Sequence, residues 1–316
     1  MKKFILIPII IGGALLVTGS VLLGLAIANS SKDEAVTNTY DITDAYNKFN
    51  IDISTADLKF EPSNDDSTKV VCIERKKEYH EVKVANETLT ITHHEDLQWY
   101  ERIFSWDLSP RKVTVYLPAK AYGDLIIKSS TGDIIIPNDF SFNKLDAKLS
   151  TGDVNIKSNV VTLTKVETST GKIAISDATT NELNLKASTG DITVKNVNVT
   201  TDATIKVSTG RVNTDNLKAD NLSIKASTGN VTLTNTVITK HIEIGTSTGD
   251  VKFVDSDAET LKVETDIGDV TGTLLTSKVF YAETDTGKVD VPKSTTGGLC
   301  EIKTDTGNIR ITIKNA

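Results

Sequence analysis

From residue 132 to the C-terminus a glycine returns every nineteen or twenty residues, and this period constrains the fold more than any other feature of the chain. The glycines are Gly132, Gly152, Gly171, Gly190, Gly210, Gly229, Gly249, Gly268, Gly287 and Gly307, separated by 20, 19, 19, 20, 19, 20, 19, 19 and 20 residues. A fixed period of this length marks a repeat architecture. Most copies read S-T-G-D or a close variant. Two residues after each glycine stands an apolar residue, from Ile134 and Val154 to Val289 and Ile309. Five before it stands another, among them Ile127, Val166, Ile205 and Ile302, and four before it a charge occupies nine of the ten copies. The alternation has period two on both sides of the glycine, so each copy reads strand, tight turn, strand. A copy this short cannot bury its apolar stripe alone. Stacked in register, each copy covers the next and the stripes merge into one core. Glycine recurs because the corner needs positive φ.

The expected fold is all-β, a single β-solenoid. The pattern reaches further back in degenerate form. Phe49, Ile51 and Ile53 precede Ala56, with Leu58 and Phe60 after it, and Val82, Val84, Leu89 and Ile91 fit another copy around Glu87. This makes about twelve coils and, at ~4.8 Å per coil, a rod roughly 55–60 Å long. The domain plan is then 1–28 as an N-terminal membrane anchor or signal segment, 29–46 as a polar linker, 47–130 as degenerate coils and 131–316 as the regular repeat. An insertion over 93–110 interrupts the degenerate part.

The first residues carry their own signal. Lys2 and Lys3 precede an uncharged apolar run from Phe4 to Ala28. As a helix that run is about 37 Å long, enough for one transmembrane crossing. With the positive flank held inside, the N-terminus is cytoplasmic and the rest extracytoplasmic. The competing reading is a signal peptide cleaved after Ala26-Ile27-Ala28, giving a secreted product, but the run exceeds the usual h-region.

Composition excludes several classes. A net charge of −7 argues against nucleic acid as a partner. Two cysteines cannot build a disulfide-rich module. In a rod, Cys72 and Cys300 stand roughly 50 Å apart, far beyond the ~7 Å Cα limit for a disulfide. The residues after the glycines include Asp133, Asp153, Asp191, Asp250 and Asp269, but Lys172, Arg211 and Lys288 interrupt them and argue against a calcium ladder. His93, His94, Glu95 and Asp96 form a cluster that His80 could join. Adjacent histidines in a strand point to opposite faces, so the expected description is a polar loop rather than a metal site. No catalytic residue, metal or cofactor is expected. The candidate ligand contacts are Trp99, Tyr100, Phe104 and Trp106 in the insertion, where aromatic rings could stack on sugars or lie in a lipid interface.

The degenerate ISTADLKFEPS, the aromatic insertion, VTVYLP and then serial S-T-G-D coils resemble, over about residues 47–316, a family of bacterial β-strand repeat proteins of adhesin type, among them LiaG-like envelope-stress accessory proteins. The resemblance implies an exported, membrane-anchored solenoid and supplies no catalytic residues. The functional expectation is a non-enzymatic interaction or spacer module at the cell envelope, contacting the cell membrane and an envelope polymer or membrane protein. Two alternatives remain: a carbohydrate-active β-helix enzyme, and a lateral regulator of an envelope-stress sensor. The alternation of Ile309, Ile311 and Ile313 up to the end of the sequence suggests an uncapped edge and end-to-end self-association there.

Overall fold

A computed structural model describes residues 35–96 and 111–314. The described residues form twenty-five strands, β1 to β25 in chain order, joined into one hydrogen-bonded system. The fold is all-β and its body is a parallel β-solenoid of about ten turns, slightly fewer than the twelve expected. The N-terminal anchor proposed for residues 1–28 lies outside the described residues. Within them no helix is long and apolar enough to cross a membrane.

In-register parallel pairing sets the geometry. Strand β13 (Ile173–Thr189) runs beside β15 (Asp202–Thr209), and Leu183, Leu185 and Ala187 meet Ala203, Ile205 and Val207. The same set pairs onward from β15 to β16 (Val212–Thr228), so Ile205 meets Ile224. Inward positions two residues apart therefore build columns of Leu, Ile, Val and Ala that are buried through the body of the repeat and open only at its β22–β23 edge. Each large aliphatic side chain so enclosed contributes roughly 1.5–3 kcal/mol. Aromatic residues concentrate at one end of this core. Phe49, Phe60, Tyr122, Phe140 and Phe142 pack edge-on or stacked with centroids 5.2–6.5 Å apart.

The glycines form a column of their own. A Cβ built on Gly210, whose φ is +149°, would stand 2.1 Å from the carbonyl oxygen of Gly190. Neither the angle nor the space admits a side chain.

Order in space departs from order in sequence at both ends. Strands β2 (Lys48–Thr55) and β3 (Asp57–Pro62) form a rung around Ala56, as expected. It lies between β8–β9 (Ala121–Thr131, Ile134–Ile136) on one side and β6–β7 (Thr88–Glu95, Lys112–Leu117) on the other. The pattern around Glu87 is not a coil. Strands β5 (Glu78–Ala85) and β6 are an antiparallel hairpin, in which Val82 meets Ile91 and Val84 meets Leu89. Asn86 and Glu87 both take positive φ, the geometry of a tight two-residue hairpin turn. Strand β4 (Thr68–Glu74) pairs antiparallel with both β7 and β1 (Val36–Ile42), so part of the stretch read as a polar linker is a strand. His93, His94 and Glu95 likewise continue β6 rather than opening a loop. Strands β1, β4, β5, β6 and β7 together form an end module closing this side of the solenoid.

At the other end, β24–β25 (Gly298–Thr306, Ile309–Ile313) is inserted between β20–β21 (Thr260–Ile267, Val270–Leu274) and β22–β23 (Lys278–Thr286, Val289–Asp290). The uncapped edge expected at Ile309, Ile311 and Ile313 is therefore occupied: Ile309 and Ile311 are buried. The open edge belongs to β22–β23. Its inward Val289 is 43 % exposed, whereas the equivalent Val270 and Ile309 are both 0 % exposed. The TTGGL break is the threading point, since a Cβ on Gly298 would stand 1.7 Å from the Glu259 carbonyl oxygen.

Gly210→Ala should lower stability by about 3 kcal/mol or more, from strain and overlap together. Gly245→Ala should be neutral or slightly stabilising, because nothing lies within 4 Å of the added Cβ. Urea midpoints of the two variants check this.

Candidate functional site

Ladders of polar residues occupy two corners of the turns. At the glycine corner the next side chain accepts a hydrogen bond from the backbone amide of the rung above. Asp133 Oδ1 accepts from Asp153 N at 2.8 Å, Asp153 Oδ1 from Lys172 N at 2.7 Å and Asp191 Oδ1 from Arg211 N at 2.8 Å. Asn230, Asp250 and Asp269 continue the series. The corner interrupts the regular strand ladder, and these side chains supply acceptors to its amides. Lys172, Arg211 and Lys288 use the amide of the position without needing to accept. The aspartates are structural.

Six residues beyond the glycine lies a second corner that the sequence reading missed. Asp177, Asn196, Asn216, Asn235 and Asp255 all have φ between 46° and 53°. Asn and Asp tolerate this left-handed conformation best after glycine. Adjacent members also bond sideways, Asn196 Nδ2 donating to Asp177 Oδ1 at 2.9 Å and Asn216 Nδ2 to Asn196 Oδ1 at 3.1 Å. The signal was present: Asn or Asp at one fixed offset in five successive copies.

The end module holds a cluster of buried polar chemistry. Cys72 and Glu74 lie on β4, and His80 on β5. Their sulfur, carboxylate and imidazole ligand atoms lie within 4.8 Å of one another, all buried. Both Glu74 oxygens are already committed. Oε1 accepts from Asn38 Nδ2 at 2.5 Å, while Oε2 accepts from the His80 amide at 2.7 Å and lies 2.9 Å from His80 Nδ1. Burial pushes the Glu74 carboxyl up. The hydrogen bonds from the His80 ring, Asn38 and the His80 amide outweigh it and hold the carboxyl below its ordinary value. Burial, with Glu74 adding to it, pushes the Cys72 thiol up to about 12, so the sulfur is a protonated thiol at neutral pH. A metal would have to displace the Glu74–His80 hydrogen bonds and deprotonate this thiol. The arrangement fits a structural network better than a metal centre.

Of the expected cluster, His93 packs against His80 with ring centroids 5.3 Å apart, and His94 stacks on Tyr79 at 5.5 Å. The two histidines do point to opposite faces. Burial, helped by His80 and Arg111, lowers the His93 pKa and favours the neutral ring. Arg111 pairs with Glu78 and bonds Thr55, fastening the end module to β2. Trp99, Tyr100, Phe104 and Trp106 lie outside the described residues, which bracket them at Asp96 and Arg111. Cys72 and Cys300 are free, buried thiols.

Stacked parallel turns, corner ladders committed to backbone and an antiparallel end module define a β-solenoid repeat protein. More particularly, the chain belongs to the Toastrack DUF4097 family, whose profile matches residues 46–211 and 200–316. Two crystal structures from Parabacteroides distasonis share the fold. A protein provisionally described as lipid-binding has 15 % identity and a TM-score of 0.51, covering 87 % of this chain and 97 % of its own. Another, provisionally described as an adhesin, has 14 % identity and a TM-score of 0.50, covering 88 % and 97 %. Comparison with curated proteins gives no match.

Glu74 should make the end module acid-sensitive. Its folded pKa lies below the unfolded value, so its contribution is present above the unfolded carboxylate pKa, near 4.3. That contribution is lost as pH falls through the folded pKa. Amide exchange in β4 and β5 should accelerate below about pH 4. Glu74→Ala should cost about 3 kcal/mol at pH 7 and flatten that pH dependence.

Proposed function

We propose that this chain is a non-enzymatic, adhesin-like interaction rod, held in the cell membrane by residues 1–28 with its solenoid outside the cell. The observation that carries this reading is the commitment of the ladders. Corner aspartates and asparagines over successive turns bond backbone amides and neighbouring side chains, and the buried Cys72–Glu74–His80 cluster is tied into the end module. The TTGGL break, where an enzyme reading would seek catalytic groups, threads the last rung instead. Attachment at one end also suits a tethered rod. The chain enters the described structure beside β1, in the same module from which the 97–110 segment departs. Trp99, Tyr100, Phe104 and Trp106 are thus proposed to contact lipid or ligand at the tethered end.

In intact cells, external protease should remove a C-terminal tag from a protein that fractionates with membranes. On a glycan array the full-length protein should bind without releasing reducing ends. A protected tag, or steady release of products, would overturn the reading.

At the opposite end we infer that a second copy covers β22–β23. That edge combines an unpaired strand with half-open inward positions at Phe280, Ala282 and Thr284, and Tyr281 is 67 % exposed beside them. Another β22–β23 rung offers both the backbone partners and the apolar cover that such an edge lacks. Sedimentation equilibrium of the full-length protein in detergent should show dimers that V289K weakens at least tenfold. A monomer at all concentrations, or dimers indifferent to V289K, would exclude this contact.

A further inference from the structure

One outward face of the solenoid carries an unbalanced charge pattern. Lys186, Lys206 and Lys225 stand directly above one another on β13, β15 and β16, in register and exposed. Adjacent strands lie ~4.8 Å apart, so three like charges are stacked at that spacing. None of the three lies within ion-pairing distance of a carboxylate among the described residues. Several other cations of the solenoid pair across rungs: Lys195 with Asp215, Arg211 with Asp191, Lys240 with Asp220 and Lys314 with Asp255. What sets this ladder apart is three successive rungs with a lysine at the same outward position.

The flanking columns sharpen the contrast. Two residues before the lysines stand Asn184, Thr204 and Ser223, and two after stand Ser188, Ser208 and Ser227, all neutral hydrogen-bonding groups. Beyond Lys186 the column meets Glu167, then Lys148 and Lys128. Glu167 itself is paired with Lys165 at 3.1 Å. Across these six rungs the two outward columns hold six lysines against two acids, Asp146 and Glu167, in a chain whose net charge is −7. Past Lys225 the sign reverses, beginning at Glu243 and Glu264.

We propose that the Lys186–Lys206–Lys225 ladder binds a linear anionic polymer lying along the solenoid axis. This rests on the adhesin-like reading and assigns that reading a ligand class and a surface. The charge is complementary, and carboxylate or phosphate groups strung along a chain can meet ammonium groups repeating at the rung spacing. The neutral hydroxyls and amides on either side suit a hydrated polymer. A protein partner is disfavoured because these three rungs offer no large apolar side chain in the outward columns, whereas stable protein interfaces centre on such groups.

The test compares the full-length protein in detergent with K186Q/K206Q/K225Q and with K195Q/K240Q/K314Q, which removes the same charge from paired lysines. The probes are polygalacturonate, long-chain inorganic polyphosphate, neutral dextran and single-stranded oligothymidine. The wild type should bind one or both of the first two, which tells carboxylate from phosphate sources, and should ignore dextran. The ladder variant should bind at least tenfold more weakly, with the slope of log K against log salt reduced by about 2. The control variant should stay within twofold. The ladder variant should melt close to wild type, since it loses the mutual repulsion of the three lysines together with the exposed attraction of Lys186 for Glu167. Equal binding by ladder variant and wild type overturns the proposal while leaving the adhesin-like reading intact. Binding to oligothymidine alone overturns it in favour of nucleic acid. If the wild type binds no polymer here and none on a glycan array, both fall.

Discussion

Every other property of this protein depends on the hydrogen bonding of one turn to the next. The strands of a parallel rung point their backbone groups along the axis, half towards each neighbour, and each group must find a partner there or bear the cost of desolvation. In-register stacking satisfies them, and it also superimposes inward side chains so that one apolar core runs through the body. The corners are where this scheme strains. There the chain turns too tightly for strand pairing, and the molecule answers with a glycine column, a side-chain acceptor beside it and left-handed Asn or Asp at the next bend. Stability is therefore spread along the axis rather than gathered at one centre.

The two ends solve a different problem. A solenoid whose first and last coils were also its outermost would expose two raw edges. Here the outer level at one end is elaborated into an antiparallel module, held by β4 and sealed by the Glu74–His80 and Arg111–Glu78 contacts. At the other end no such module is built among the described residues. The asymmetry gives the particle one face closed by antiparallel strands and one, at β22–β23, with an unpaired strand.

How far these features could be read in advance depended on whether they are local. Strand register and the glycine corner were legible because alternation around Gly132 to Gly307 repeats the same chemistry at the same offset. The corner at Asn196 was just as periodic, yet Asn and Asp suit so many turns that its fixed offset was easily passed over. Around Glu87, alternation misled: period two describes a hairpin as well as a coil, and only the turn at Asn86 and Glu87 separates them. The inserted last rung could not be read at all. Nothing in Ile309, Ile311 and Ile313 says which neighbours they will meet, because pairing partners are a property of topology. The Cys72–Glu74–His80 cluster was hidden for the same reason, since antiparallel packing in the end module brings those side chains together.

The late insertion of β24–β25 has a bearing on biogenesis. Most of the column can zip together as it emerges, each new coil closing on the one before. The final segment cannot simply be added; it must slide into a slot whose far wall, β22–β23, has already been synthesised. Until those last residues arrive, that wall has no partner on either side. A chain cut short before Gly298 would lack the wedge that joins the two levels, so the arrival of β24–β25 and the joining of those levels become a single event.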